Sequence, residues 1–211
     1  MILRASSDNQ KFEKKDLIIK MAEQLLKGHH SDLPSVNEII KSLNIAKGTF
    51  YLYFNTKEEI YLEILRNHNM NLFDLLENSI DSSKSLKKMI ENISRLLLDF
   101  AKRNPTVMML SSISASILEA NLEKKFALEY KTMILKRMTI LVSRIASKFE
   151  MHPKKIKNNI LTTYILWIAL WQHNNPPDSI KELLSAPPLN ELLIDLDKTF
   201  VETVVKLWKE D

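Results

Sequence analysis

The chain has 211 residues, of which 45% are hydrophobic and 27% are charged, a balance typical of folded globular proteins. It contains only two glycines and no cysteine, which argues against strand-rich folds, phosphate-binding loops, disulfides and thiolate metal sites. The net charge of +4 is a weak indication of a polyanionic partner. No apolar stretch approaches the ~20 residues that a membrane span needs, and no signal peptide is recognisable, so we expect an all-α, cytoplasmic protein.

Apolar residues at helical spacing predict a first helix over 14–27, which ends before Gly28. The N-terminal arm is expected to be disordered. Its basic residues, which could reach DNA phosphates or the minor groove, are Arg4, Lys11, Lys14 and Lys15. The sequence Ser-Val-Asn-Glu at 35–38 is a capping box that begins a short second helix, and Asn44 ends that helix in a left-handed conformation.

A third short helix is predicted over 46–54, and a capping box at 56–59 begins a longer helix towards Ser79. Two short helices joined by a tight turn, after one ordinary helix, form a helix-turn-helix pattern, here at 35–54. The remaining predicted helices cover 83–103, 105–120, 122–150, 153–173, 179–184 and 188–209.

A helical wheel of 46–54 separates a core side from an outer side. Phe50 and Phe54 fall together and are predicted to be core. The outer side and its flanks carry Lys47, Gly48, Thr49, Tyr51, Leu52 and Tyr53. Glycine admits a DNA backbone, threonine can bond a base edge, leucine can contact a thymine methyl, and lysine and tyrosine can bind phosphates. An aromatic stripe is more often core, but five consecutive large residues cannot all be buried on one short helix.

The stretch 36–60 closely resembles the N-terminal DNA-binding domain of the tetracycline-repressor (TetR) family. Its most specific part reads AKGTFYLYF at 46–54, followed by KEE at 57–59. Asn44 stands where the family commonly has glycine, and Ala46 stands where the family often has serine or threonine.

The resemblance implies a homodimer that binds a near-palindromic operator, usually as a repressor, and leaves it when a small, largely apolar molecule binds. It assigns DNA binding to a domain at 1–57 and ligand sensing and dimerisation to a domain at 58–211. The expected DNA contacts, of which Leu52 comes from the wheel rather than the family, are Ser35, Lys47, Gly48, Thr49, Tyr51, Leu52, Tyr53 and Lys57.

The helix predicted over 153–173 is apolar around most of its circumference, so it must be buried on more than one face. The last predicted helix carries apolar residues near heptad spacing, and two such helices from each subunit could form a four-helix dimer interface. The alternative is that both helices close a monomeric bundle. The predicted interface residues are Ile160, Tyr164, Trp171, Leu193, Leu196, Phe200 and Leu207.

The helix predicted over 105–120 mixes methionines with serines. Because methionine adapts its shape and serine leaves room, a largely apolar ligand pocket with a few polar anchors is one interpretation. The other is ordinary core with exposed serines. The candidate pocket residues are Met108, Met109, Ser112, Tyr130, Met133 and Trp167.

The histidines do not suggest chemistry. His29 and His30 are adjacent on a predicted loop, and the other three are isolated from carboxylates at ligand spacing. We therefore predict no catalytic site, no metal site and no cofactor. The alternative function is a helical ligand-binding or scaffold protein of the same fold that does not bind specific DNA.

Overall fold

The structure, a computed structural model, describes residues 2–27 and 33–209. Gly28, His29 and His30 lie outside the described residues. Within the described ranges the chain consists of helices and connecting turns, with no β-strand. It divides into two compact units: the chain up to Asn67 with Ile113–Ala127, and His68–Ser112 with the chain from Leu128 onward. No helix in these ranges is long and apolar enough to cross a membrane.

The first helix, α1 (Ile2–Leu26), begins well before the predicted residue 14. The prediction of a disordered arm is therefore wrong. The arm contains neither glycine nor proline, and each residue added to an existing helix gains a hydrogen bond without a new nucleation step. The second half of α1 packs on α2 (Val36–Leu43) and buries Ile18, Ala22 and Leu26.

The helix-turn-helix consists of α2 and α3 (Lys47–Tyr51). At the start of α2 the Glu38 N–H donates to Ser35 Oγ (3.3 Å), and the Ser35 N–H donates to the Glu38 carboxylate (2.7 Å). Asn44, with φ 51° and ψ 47°, ends α2 in the left-handed region. The predicted capping box and the predicted left-handed stop are both confirmed. The helix α3 is shorter than the predicted 46–54.

The helix α4 (Lys57–Ser82) begins after Thr56, whose hydroxyl accepts from the Glu59 N–H (3.3 Å). The Glu59 carboxylate returns to the Asn55 N–H (2.7 Å), one residue earlier than an ordinary capping box requires. The first turns of α4 bury apolar side chains in the N-terminal unit, namely Ile60, Tyr61, Leu62, Ile64 and Leu65.

Six further α-helices follow: α5 (Leu86–Arg103), α6 (Pro105–Ile113), α7 (Lys124–Phe149), α8 (Pro153–Asn174), α9 (Asp178–Leu184) and α10 (Leu196–Lys209). The predicted helix over 105–120 changes at Ile113 into a π-helical turn and then a short 3-10 turn. Just before this change the Ser111 hydroxyl donates to the Val107 carbonyl (2.8 Å), and the Ser112 hydroxyl donates to the Met109 carbonyl (2.7 Å). Such bonds weaken the regular helix ladder.

The predicted start of the last helix at Pro188 is wrong. A 3-10 turn at Leu189–Leu192 precedes α10, and α10 begins after Asp195, whose carboxylate accepts from the Lys198 N–H (3.0 Å). The predicted capping box at 179–182 is also wrong, because Pro177 precedes α9 without a side-chain cap.

The C-terminal unit has its core where α10 packs against α5 and α8. Phe200, Val204 and Trp208 of α10 are buried there, and the Trp208 indole N–H donates to the Thr163 hydroxyl (3.0 Å). Much of the apolar face of α10 is therefore buried within its own protomer.

Candidate nucleic-acid interface

The short helix α3 has a buried side and an exposed side, as the wheel predicts. Phe50 and Phe54 are 0% and 2% exposed, with ring centroids 5.8 Å apart. Leu52 is 79% exposed and Tyr51 is 46% exposed. Leu52 therefore leaves most of its apolar surface in water, and burying such a side chain against a partner would be favourable by about 1.5–3 kcal/mol.

The other predicted contact residues surround this exposed side. Lys47 and Gly48 are exposed, and Thr49, Tyr53 and Lys57 are half-buried. Ser35 is half-buried and accepts the capping hydrogen bond of α2, yet its own hydroxyl proton stays available to a phosphate oxygen. These residues all belong to the N-terminal unit.

Gly48 has no packing reason to be glycine. A Cβ atom added at Gly48 would meet no atom within 4 Å, and its φ is not positive. Inside the protein an alanine would therefore fit and would favour the helix. Neither packing nor backbone conformation within the described structure therefore requires glycine at this position.

One hydrogen bond from a residue of α4 holds the start of α2 in place. This bond was not predicted from the sequence. The Tyr61 hydroxyl is buried and donates to the Pro34 carbonyl (2.6 Å), just before the cap of α2. Burial, with the nearby Glu38 and Glu58 carboxylates, raises the pKa of Tyr61 above its ordinary value, so the hydroxyl stays protonated. Because Pro34 and Tyr61 are 27 residues apart, no local pattern reveals this bond.

Three acidic side chains in the first two turns of α4, Glu58, Glu59 and Glu63, are buried inside the N-terminal unit. Glu63, 5% exposed, pairs with Lys15 (2.8 Å) and with Arg66 (3.4 Å). Lys15, whose side chain is 37% exposed, also lies 5.5 Å from the Phe54 ring centroid, so this lysine of the arm already has partners within the unit. Lys47 has no ion-pair partner among the described side chains and contributes an uncompensated positive charge.

The predicted pocket residues all lie in the C-terminal unit. Met108, Tyr130 and Trp167 are buried, whereas Met109, Ser112 and Met133 are half-buried. The Tyr130 hydroxyl accepts from the Asn69 amide (3.3 Å), and the Trp167 ring lies 6.0 Å from the Phe100 ring. The Trp167 indole N–H is buried without a hydrogen-bond partner among the described residues.

The predicted dimer residues divide between the surface and the core of the protomer. Tyr164 and Leu193 are 45% and 44% exposed. The side chains that are half-buried are Ile160, Trp171, Leu196 and Leu207. Phe200 is fully buried in its own protomer, because α10 turns it towards α5 and α8. The most exposed apolar residue of α8 is Ile165, at 65%, which the sequence-based prediction did not include.

Two of the isolated histidines have local structural roles. His152 precedes α8, and its ring Nδ1 accepts from the Lys154 N–H (3.2 Å). The His173 ring Nε2 is 2.8 Å from the Leu192 carbonyl oxygen. Among the described residues, no three His, Asp or Glu side chains are grouped so that they could hold a metal ion.

Family comparisons agree with this arrangement over most of the chain. The family model "Bacterial regulatory proteins, tetR family" matches residues 18–64. The model "Tetracyclin repressor-like, C-terminal domain" matches residues 68–209, more than half of the chain. The chain belongs to the TetR family. The expected family membership and the all-α fold are confirmed.

Individual relatives of this TetR-family protein are distant. It is 23% identical over 129 residues to the nucleoid occlusion factor SlmA of Mannheimia succiniciproducens. The matched region covers 61% of this chain and 59% of that protein. It is 29% identical over 89 residues to IcaR of Staphylococcus epidermidis, a biofilm operon icaADBC HTH-type negative transcriptional regulator, which covers 42% and 48%. These matches span about half to three fifths of the relatives' own length.

Two solved structures share the fold of this TetR-family chain along most of its length. A tetR-family regulatory protein from Rhodococcus RHA1 has a TM-score of 0.58 at 14% identity, covering 92% of this chain and 96% of the other. The fatty acid degradation regulator FadR from Bacillus halodurans has a TM-score of 0.58 at 15% identity, covering 92% and 94%. At such identities the likeness establishes the fold alone.

Proposed function

We propose that this TetR-family protein is a sequence-specific DNA-binding transcription regulator in which the exposed side of α3 enters the major groove. The observation that carries the proposal is the exposed side of α3. It presents Leu52 at 79% exposure, next to Gly48, at which a Cβ atom would meet nothing. A helix that only faced solvent would gain nothing from glycine, the poorest helix former after proline.

The proposed roles follow from the chemistry of each side chain. Thr49 and Leu52 face bases, through a hydrogen bond and a contact with a thymine methyl. Lys47, Lys57 and the hydroxyls of Ser35, Tyr51 and Tyr53 bind phosphates and fix the position of α3. Gly48 lets the DNA backbone come close.

The protein is proposed to bind DNA as a two-fold dimer. One short helix contacts too few bases by itself, and two half-sites one helical turn apart require two helix-turn-helix units at a matching distance. The surface of α8 supports this, since Leu161, Tyr164 and Ile165 are 41%, 45% and 65% exposed on a continuous apolar face. An apolar face of this kind is typical of protein–protein contact. Phe200 is not part of the proposed interface because it is core.

Regulation is proposed to be repression relieved by a small, largely apolar molecule in the C-terminal unit. The Staphylococcus epidermidis relative is named a negative regulator. Met108, Met133 and Trp167 would supply apolar contacts. The buried Trp167 N–H without a partner would be satisfied by an acceptor oxygen of the ligand, because an unpaired buried donor costs about 1–3 kcal/mol.

The test begins with selection of fragments of the source organism's genomic DNA by the purified protein, followed by footprinting of the fragment that binds best. We expect protection of two half-sites related by approximate two-fold symmetry. If no fragment is enriched after any bound ligand has been stripped, a helical ligand-binding or scaffold protein without specific DNA binding becomes the better description.

A further inference from the structure

The N-terminal unit has a second surface feature beside the proposed DNA-reading side. An open groove of about 540 Å³ lies between the middle of α1 and Tyr53, which follows α3. Its lining residues are Gln10, Lys11, Glu13, Lys14, Leu17 and Tyr53. The groove therefore extends the surface that already contains Tyr51 and Leu52 towards the start of the chain.

The lysines of α1 fall into two groups. Lys15 pairs with Glu63 and Lys20 pairs with Asp16 (2.6 Å), so both have partners within the protein. Lys11 and Lys14, which line the groove, are exposed and have no ion-pair or hydrogen-bond partner among the described side chains. Free cations on a concave surface favour an anionic occupant.

The mixed polarity of the groove lining fits a phosphodiester chain better than a small anion. Lys14 and Leu17 lie one turn apart on the same face of α1, so a charge stands next to an exposed apolar surface. The Tyr53 hydroxyl, on the opposite side, has no hydrogen-bond partner among the described residues. A cation and a hydroxyl suit phosphate oxygens, whereas the apolar Leu17 suits a deoxyribose.

We infer that this groove seats the DNA sugar–phosphate backbone, with Lys11, Lys14 and Tyr53 as its phosphate ligands, so that α1 binds DNA together with α3. The inference rests on the proposed function, because the occupant is the same DNA. Glu13 also lines the groove and opposes a phosphate, so it weakens this binding. Removal of the Glu13 charge should therefore strengthen DNA binding, in the opposite direction to removal of the lysines.

The experiment measures DNA affinity between about 50 and 300 mM salt by fluorescence anisotropy, a range over which phosphate binding changes affinity strongly. It uses the best selected genomic fragment and a random duplex of the same length. The variants are Lys11→Gln with Lys14→Gln, and Glu13→Gln. Glutamine matches lysine in helix propensity, so α1 is kept. The control, Lys84→Gln with Lys87→Gln, removes the same charge from positions of the other unit.

For the Lys11/Lys14 variant we expect the slope of log affinity against log salt to become less steep by ~0.9 for each phosphate that the protein no longer neutralises. At ~0.1 M salt this means an affinity about tenfold weaker for each such phosphate, on both DNAs. The ratio between the two DNAs should stay near that of the wild type, because phosphate binding carries no sequence information. Glu13→Gln should bind more tightly than wild type.

Two results would overturn the inference, and they are distinguishable. If the Lys11/Lys14 variant has the same affinity and slope as the Lys84/Lys87 control while the wild type still prefers the selected fragment, the groove does not bind DNA and the proposed function stands. If the wild type prefers no fragment over the random duplex, the proposed function fails and this inference fails with it.

Discussion

At Gly48, the residue that would best stabilise the fold differs from the residue that the proposed DNA binding would favour. Folding does not require glycine there, since a Cβ atom would meet nothing within 4 Å. Glycine even weakens a helix, by about 0.5–1 kcal/mol relative to alanine. The residue is therefore unfavourable for the isolated protein, and the proposed close approach of DNA would account for it.

Gly48→Ala is expected to raise the free energy of unfolding by about 0.5–1 kcal/mol, because it removes backbone freedom from the unfolded chain. It should also reduce affinity for the selected DNA fragment, because the added methyl group would meet the DNA backbone. Urea unfolding and fluorescence anisotropy measure the two effects on the same protein sample. A variant that binds as tightly as wild type would show that DNA does not approach Gly48.

Tyr61→Phe is expected to destabilise the N-terminal unit by about 1–2 kcal/mol, because it leaves the Pro34 carbonyl without its donor. Urea unfolding measures this, and Tyr51→Phe, which removes an exposed hydroxyl, is the control. The raised pKa of Tyr61 means that the folded state keeps its proton more tightly than the unfolded state. The contribution of the Tyr61 hydroxyl to the free energy of unfolding is therefore complete below about pH 10 and declines above it. Equal stability of Tyr61→Phe and wild type at neutral pH would contradict this role.

Among the elements, α4 and α7 are joined by a set of ion pairs within the C-terminal unit. Arg137 lies 2.7 Å from one Glu77 oxygen, and Arg144 lies 3.1 Å from the other. Asp74 and Asp81 extend the set at its two ends. Glu77 and Arg137 are only 14% and 17% exposed, so water screens this pair much less than an ordinary surface pair.

Glu77→Ala is expected to lower the free energy of unfolding by about 1–3 kcal/mol, because it leaves part of the charge of Arg137 buried without compensation. Asp99→Ala is the control: it breaks the exposed Asp99–Arg103 pair and should cost no more than about 0.5 kcal/mol. Urea unfolding of both variants in the same buffer makes the comparison. Equal effects would mean that the α4–α7 pairs are no more important than surface pairs.

The elements also show where sequence reasoning succeeds and where it stops. The Ser35 cap and the Asn44 stop were predictable because they depend on residues within one turn. The exposed side of α3 was predictable because a short helix cannot bury five large residues. In contrast, the direction of Phe200 depends on α5 and α8, which are distant in sequence, and the Tyr61–Pro34 bond spans 27 residues. Periodicity identifies an apolar face and does not say which neighbour covers it.

At the scale of the whole molecule, the dimer contact is proposed on the outer face of α8. Ile165→Asp is expected to convert the dimer into monomers, because Ile165 is the most exposed apolar residue of that face and a charge there would be desolvated on association. Light scattering coupled to size exclusion measures the mass.

Leu128→Asp is the matched control for the dimer test, since Leu128 of α7 is 69% exposed and the charge change is the same. It should leave the mass unchanged. A wild-type mass that persists in Ile165→Asp would place the dimer contact on another surface, whereas monomeric wild-type protein would contradict the dimer itself.

The central claim is that the exposed side of α3 reads DNA sequence. The most direct test is the ratio of affinities for the selected fragment and for a scrambled duplex, measured by fluorescence anisotropy near physiological salt, in wild type and in Thr49→Ala/Tyr51→Ala. We expect a ratio of ~10³ or more for wild type, which the double variant loses while it still binds random DNA. A double variant that keeps the wild-type ratio would contradict the assignment of sequence reading to α3.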